Sequence, residues 1–228
     1  MERAATVAET EAIASLLREA MTAGAFGFTT TYAGQHVGYK GRPLVCRLAD
    51  HAELQAYGGI LREFGRGTIE LALTNEVSKV DESERELLDL LLSASGRPVT
   101  WLALLNRDDE PDIVRNTLAD VADLLERGSV PQGTCRPFII QIDLRTPFVF
   151  ANMQCWNRVL NRPVDEQIAV LKELDFRSSF KEALKRPLIF SGRWEVMSVL
   201  EVSSPDLTRF VGRNIADIAR ERNADPVD

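Results

Sequence analysis

The residues best suited to bind a small molecule lie on one long connection early in the sequence. This connection runs from Tyr32 to Arg47 and contains several Gly, Tyr and His residues. A loop of that length is usually either functional or mobile. Arg47 could pair with a carboxylate through two parallel hydrogen bonds, and His36 could orient a substrate. The plainer alternative, a loop histidine and a structural arginine, stays open. The sequence thus indicates a substrate-binding site that uses Tyr32, His36 and Arg47.

Glu70 is a fourth candidate for that site. It lies between apolar residues in a predicted strand. Burial perturbs the pKa of a carboxyl group, and perturbed carboxyl groups cluster at functional sites. A neighbouring arginine that neutralises the carboxylate is the alternative. We therefore add Glu70 to the predicted substrate-binding residues and assign no catalytic residue.

Residues that commonly bind metal ions are few. The sequence has two histidines, His36 and His51, which are fifteen positions apart and lack the spacing of a ligand pair. His51 follows Asp50 in a predicted first helical turn, a position typical of a solvated surface. The three cysteines form no CxxC pair, and no GxSxG elbow occurs. The sequence predicts no metal site and no cofactor in this chain.

The overall composition limits the partners of the chain. With 228 residues, of which 45% are hydrophobic, the chain is long enough to bury a sizeable core. A formal net charge of −7 opposes binding to a phosphate backbone, which requires clustered Lys and Arg. No apolar run reaches the roughly 18 residues that cross a bilayer, and no signal-peptide pattern opens the sequence. We expect a cytoplasmic protein with reduced cysteines that binds neither nucleic acid nor membranes.

Helical and strand patterns alternate over residues 1–143. Each helical pattern has apolar residues at helical spacing and is followed by an apolar run with strand character. The helical patterns begin near Thr6, Asp50, Asp81 and Pro111. The predicted strands are Phe26 to Thr31, Thr68 to Leu73, Pro98 to Leu105 and Pro137 to Ile142. Four such units predict the α/β class, with a parallel sheet buried by flanking helices.

The regular alternation ends after Asp143. Two short helices are predicted from Val164 to Leu174 and from Phe176 to Lys185, and a strand is predicted from Trp194 to Val202. A final helix is predicted from Ile215 to Arg222. No linker or low-complexity tract divides the chain. We predict a single domain over residues 1–228, with the four helix–strand units in 1–143 and the remaining elements in 144–228.

Four stretches, read in order, carry a family resemblance. They are Gly24–Thr31, Gly41–Ala49, Ser95–Trp101 and Gly212–Ala219. Together they resemble the amidohydrolase family that includes the N-acyl-D-amino-acid deacylases. The resemblance implies a TIM-type barrel and zinc-assisted hydrolysis of an amide. It also implies that the small molecule is an N-acyl amino acid or a similar amide, whose carboxylate Arg47 would bind.

The metal-binding motifs of that family are missing from this sequence. The family has an HxH pair on its first barrel strand, a late Asp, and a histidine on each of two middle strands. Neither the HxH pair nor a matching Asp motif occurs here, and the middle strands carry Glu70–Leu73 and Thr100–Leu102 instead. The resemblance therefore predicts an amidohydrolase-like domain that lacks the metal ligands and is inactive alone.

The resemblance further predicts that the sheet is part of a TIM barrel. Four strands leave two open sheet edges. We expect the sheet to stay open or to be completed by oligomerisation, either as a homo-oligomer or with a partner chain that supplies the other strands. The active site of a barrel lies where its strands end. The predicted rim residues are Thr30, Thr31, Tyr32, Thr74, Leu105 and Asp143.

Two other functions stay open at this point. The chain could be a non-catalytic subunit or a small-molecule-binding domain that pairs with another chain. It could also be a fragment without an independent role. A partner chain bearing an HxH pair and a late Asp would favour the first of these.

Overall fold

The computed structural model describes residues 3–38, 41–185, 190 and 192–228, and these residues form two compact units. The described residues through Phe138, except Gly41, make up the first unit. Gly41 joins the described residues of Ile139–Asp228 in the second unit. The single domain expected over residues 1–228 stays a prediction.

The first unit contains a four-stranded parallel sheet. Its strands are β1 (Gly27–Thr31), β2 (Thr68–Ala72), β3 (Val99–Leu102) and β4 (Ser129–Pro131), and they lie in that order across the sheet. The helices are α1 (Val7–Thr22), α2 (His51–Phe64), α3 (Glu82–Ser95), α4 (Ile113–Asp120) and α5 (Ala122–Glu126). The prediction of an α/β fold with an open, partly barrel-like parallel sheet is confirmed.

The two faces of the sheet differ in character. Side chains of residues paired in register lie on the same face. Ile69, Leu71, Val99 and Trp101 are completely buried and share one core with residues of α1, α2, α3 and α5. Thr29, Glu70 and Thr100 are aligned with Val130 on the other face. The core helices therefore cover one face, as in the wall of a (β/α) barrel, and the other face carries mainly polar residues.

Local sequence signals explain where the helices begin and end. Thr6 with Glu9, and Asp81 with Glu84, form the two halves of capping boxes at the starts of α1 and α3. Gly65 and Gly96 end α2 and α3 in the left-handed conformation, which favours glycine. These caps fix the residues at which the helices begin and end.

The fourth strand was predicted in the wrong place. Pro137 to Ile142 was expected to form it, whereas β4 lies at Ser129–Pro131. The indole N–H of Trp101 donates to Ser129 Oγ at 2.9 Å, and Leu104 N–H donates to Gln132 O at 2.9 Å. These bonds fix β4 directly after α5. As a consequence, Asp143 does not lie at the end of a strand and is not a rim residue.

The second unit is made of short helical segments. They are the 3₁₀ helices Phe148–Phe150, Gln154–Arg158, Trp194–Val196 and Pro205–Phe210, and the helices α6 (Val164–Lys172), α7 (Leu174–Ala183) and α8 (Ile215–Glu221). Phe150, Trp156, Phe176 and Phe180 pack as an aromatic cluster, with ring centroids 4.9–6.2 Å apart. This cluster forms the core of the unit.

The predicted strand from Trp194 to Val202 is also wrong. Its first residues form a 3₁₀ helix, and its pairing is limited to one antiparallel bridge between Ser198 and Asn214. Val196 and Leu200 are more than half exposed. These apolar side chains of the predicted strand are therefore not buried against the described residues.

We expect Ser129→Ala to lower the free energy of unfolding by about 1–3 kcal/mol, because the buried indole N–H of Trp101 loses its acceptor. Urea denaturation followed by far-ultraviolet circular dichroism measures the change. Ser15→Ala, on the exposed side of α1, is the matched control and should be nearly neutral. In a Trp101→Phe background Ser129→Ala should cost much less. Equal effects of Ser129→Ala and Ser15→Ala would contradict this account.

Candidate functional site

A cavity of about 620 Å³ opens where β1 and β2 end. Thr30, Thr31 and Tyr32 line it from the end of β1. The loop before α2 contributes Cys46 and Arg47, and Leu71 of β2 and the N-terminal parts of α2 and α3 form most of the remaining wall. Ligands of parallel α/β sheets bind at the carboxyl ends of the strands, so this cavity is the candidate site.

Arg47 is hydrogen-bonded to two carbonyl groups of the loop beside the cavity. Its Nη1 donates to Gly34 O at 3.0 Å and to His36 O at 3.3 Å. The Nε–H of the same guanidinium is buried and has no hydrogen-bond partner among the described residues. A buried donor without an acceptor costs free energy. One side of the guanidinium is therefore structural, and the Nε–H still lacks an acceptor.

His36 lies next to the end of β1. Its Nδ1 is 2.6 Å from Thr31 Oγ1, which is itself 3.4 Å from Ala72 O. Burial of the imidazole, and secondly the positive charge of Arg47, lower the pKa of His36 below its ordinary value of 6.5. At neutral pH the site therefore contains a neutral imidazole beside a cationic guanidinium.

A buried polar network fixes the start of the same loop. Gly34 N–H donates to Asn75 Oδ1 at 2.7 Å, and Asn75 Nδ2 donates to Glu84 Oε1 at 3.0 Å. Glu84 is 1% exposed and also accepts from the N–H groups of Asn75 and Asp81. Burial raises the pKa of its carboxyl group, although these hydrogen bonds oppose the rise. The loop is thus tied to β2 and α3.

Neither Asn75 nor Glu84 is among the site residues predicted from the sequence. The Asp81 and Glu84 capping-box spacing was the available signal for Glu84. The partner of its carboxylate, Asn75, lies nine positions earlier and could not be read from that spacing. Both residues position the site and neither lines the cavity.

The four predicted site residues fall into two groups. Tyr32 and Arg47 line the cavity, and His36 is bonded to the cavity residue Thr31. The Tyr32 hydroxyl is 3.5 Å from Ser83 Oγ on the cavity wall. Glu70 lies on the opposite face of the sheet. Among the described residues, its carboxylate accepts from Gln132 Nε2 at 3.2 Å, and no arginine neutralises it.

The predicted rim residues also divide. Thr30, Thr31 and Tyr32 lie at the cavity. Thr74 and Leu105, which follow β2 and β3, are hydrogen-bonded to other residues. Thr74 Oγ1 accepts from Ala103 N–H at 3.2 Å, and Leu105 N–H donates to Ser78 Oγ at 2.6 Å. The accessible part of the rim is the part that belongs to β1.

Within the part of the chain that the structure describes, no group of three or more His, Cys, Asp or Glu residues is placed to hold a metal ion. The expectation of no cofactor in this chain stays a prediction. None of the described helices is long and apolar enough to cross a membrane.

Comparison with protein-family models, with curated proteins and with solved structures gives no match. The resemblance to the amidohydrolase family therefore depends on the four sequence stretches and stays a prediction.

We expect the imidazole of His36 to titrate below pH 6.5, because burial and Arg47 disfavour its charged form. A two-dimensional NMR titration of the two histidines measures this pKa directly. The folded chain binds fewer protons at this residue than the unfolded chain. The stability that His36 contributes is therefore present above pH 6.5 and is lost as the pH falls through the folded-state pKa. Arg47→Gln should raise the pKa; a wild-type value at or above 6.5 would contradict the assigned environment.

Proposed function

We propose that this chain is a small-molecule-binding domain that takes a ligand with one carboxylate in the cavity beside Arg47. The observation that carries the proposal is the guanidinium of Arg47. Arg47 lines a cavity of about 620 Å³, its Nη1 donates to two loop carbonyls, and its buried Nε–H has no acceptor among the described residues. A carboxylate supplies the acceptor that such a fork matches.

The rest of the wall favours an amide with an apolar part. Leu54, Leu71 and Leu87 give the cavity an apolar side, and such surfaces provide most of the affinity for small ligands. The hydroxyls of Tyr32 and Ser83 are suited to an amide oxygen or N–H. An N-acyl amino acid contains all three features, so it is the ligand class we expect.

The charges around the cavity favour a ligand with a single negative charge. Asp50 and Glu86 also line the cavity, and their carboxylates repel a ligand with several anionic groups. Asp50 is partly engaged, because its Oδ1 accepts from Glu53 N–H at 2.8 Å. One carboxylate at Arg47 and an uncharged remainder fit this distribution best.

A second candidate is the amidohydrolase-like domain itself. It is favoured by the sheet, whose strands follow in sequence order with their core helices on one face, as in a barrel wall. We propose that the isolated chain does not hydrolyse N-acyl-D-amino acids. We also propose that it is cytoplasmic and that nucleic acid is not its partner, on the grounds of composition.

Protection of Cys46 from alkylation tests the binding proposal within the wild-type chain. Cys46 lines the cavity, and Cys135 is exposed but does not line it. We expect N-acetyl-D-leucine to slow the modification of Cys46 by iodoacetamide and to leave that of Cys135 unchanged, as measured by peptide mass spectrometry. Equal rates at Cys46 with and without a series of N-acyl amino acids would rule the proposal out.

Arg47→Gln should weaken this binding by about 10–100-fold, the value of a charge-assisted hydrogen bond. The same protection assay, repeated over a range of ligand concentrations, gives the affinity. Glu70→Gln is the matched control, because Glu70 lies on the other face of the sheet and should not affect binding. If Glu70→Gln abolished protection and Arg47→Gln did not, the ligand would bind at the polar face instead.

The hydrolase candidate requires a separate assay. We expect no free amino acid from N-acyl-D-amino acids incubated with the pure chain, either with or without added zinc. Metal-dependent release that scales with protein concentration would show that the chain is an active hydrolase and that its ligand set was misidentified.

A further inference from the structure

The free edge of β1 has backbone groups that no described residue satisfies. Thr68 N–H donates to Phe26 O, and Tyr32 N–H donates to Ala72 O. The backbone N–H and C=O groups of the even-numbered residues of β1 therefore point toward β2. The N–H and C=O groups of Gly27 and Thr29 therefore point away from the sheet. They make no hydrogen bond within the described part of the chain. This edge can accept a further strand.

The two edges of the sheet are not equally available. Edge strands of natural proteins are usually protected by charged residues, by proline or by being short. β4 has three residues and ends at Pro131, which has no N–H to donate. β1 has five residues, without a charge or a proline among them. The edge of β1 is therefore the better template.

The same chain contains a segment, residues 138–142, that pairs with no described residue. Phe138, Ile139 and Ile140 are 60%, 87% and 40% exposed. Residues 138–142 carry no charge and form neither helix, strand nor turn. None of their backbone N–H or C=O groups is hydrogen-bonded to a described residue. An exposed, uncharged segment rich in β-branched and aromatic residues favours strand pairing.

We propose that residues Phe138–Ile142 of one copy of this chain add as a strand to the free edge of β1 in a second copy. Both partners are five residues long, both lack charge, and each offers the backbone groups that the other needs. Phe26, which precedes β1 and is 89% exposed, provides an apolar contact for the added strand. Strand addition of this kind gains its affinity mainly from backbone hydrogen bonds.

In the added strand the large apolar side chains would lie on one face. Side chains alternate between the faces of a strand, so Phe138, Ile140 and Ile142 share one face. Ile140 and Ile142 also line a second cavity of about 520 Å³ together with Thr146 and Phe148, and this cavity can receive side chains from the partner copy. The inference depends on the open sheet and the exposed segment, and it is independent of the ligand proposed for the other cavity.

Analytical ultracentrifugation of the full chain tests the proposal. We expect the wild type to self-associate from a mass of 25.4 kDa with increasing concentration. Ile139→Lys places a charge in the added strand, and Thr29→Pro removes an outward N–H that bonds nothing in the described chain. Each should weaken association by about tenfold or more. Circular dichroism confirms that each variant folds.

Val130→Lys is the matched control. Val130 lies on the β4 edge and is 48% exposed, so a lysine there should leave self-association unchanged. A wild type that stays monomeric at every accessible concentration would overturn the proposal and would favour a different partner chain. Association that persists in both Ile139→Lys and Thr29→Pro, or that is lost in Val130→Lys, would overturn it as well.

Discussion

Ile69, Leu71, Val99 and Trp101 pack their side chains against helices on one face of the parallel sheet, and the rest of the first unit depends on this packing. Since the core helices lie on one side, the other face keeps a row of mainly polar residues. Since the strands are parallel, their carboxyl ends meet at one edge, where the loops leave the sheet. The cavity lies where those loops leave, and the open sheet leaves the outer edge of β1 without a neighbouring strand among the described residues. The candidate site thus follows from the parallel direction of the strands, and the free strand edge follows from the open sheet.

Buried polar groups fix the described residues Gly34, His36 and Arg47 of the loop beside the cavity. Arg47 binds two carbonyl groups within the loop, and Asn75 connects Gly34 to the buried carboxylate of Glu84. Polar groups in a medium of low dielectric constant are costly unless they are paired, so such networks specify a single arrangement. A long glycine-containing connection therefore holds Tyr32, His36 and Arg47 at the end of β1. Among the described residues, the Arg47 Nε–H is a buried donor of this loop that lacks an acceptor.

Local signals predicted much of the fold, and non-local bonds decided what they missed. Apolar residues at helical spacing located α1, α2 and α3, because this pattern is local, and the caps at the helix ends are local signals of the same kind. The apolar run of residues 137–142 has stronger strand character than Ser129–Pro131, yet the bond from Trp101 to Ser129 places β4 earlier. Loop length indicated Tyr32, His36 and Arg47. Glu70 is separated from these residues because side chains alternate along a strand. Ile69 and Leu71 are buried in the core, so the side chain of Glu70 lies on the opposite face of the sheet.

We propose that the cavity beside Arg47 is a ligand site. The most direct measurement is a ¹⁵N NMR titration of the assigned protein with N-acetyl-D-leucine. The account predicts saturable shifts at the backbone amides of residues 30–36, 46–54 and 83–87, which border the cavity, and no comparable shifts at Glu70, Thr100 or Gln132 on the opposite face. Shifts confined to the opposite face, or no saturable shift at all, would contradict it.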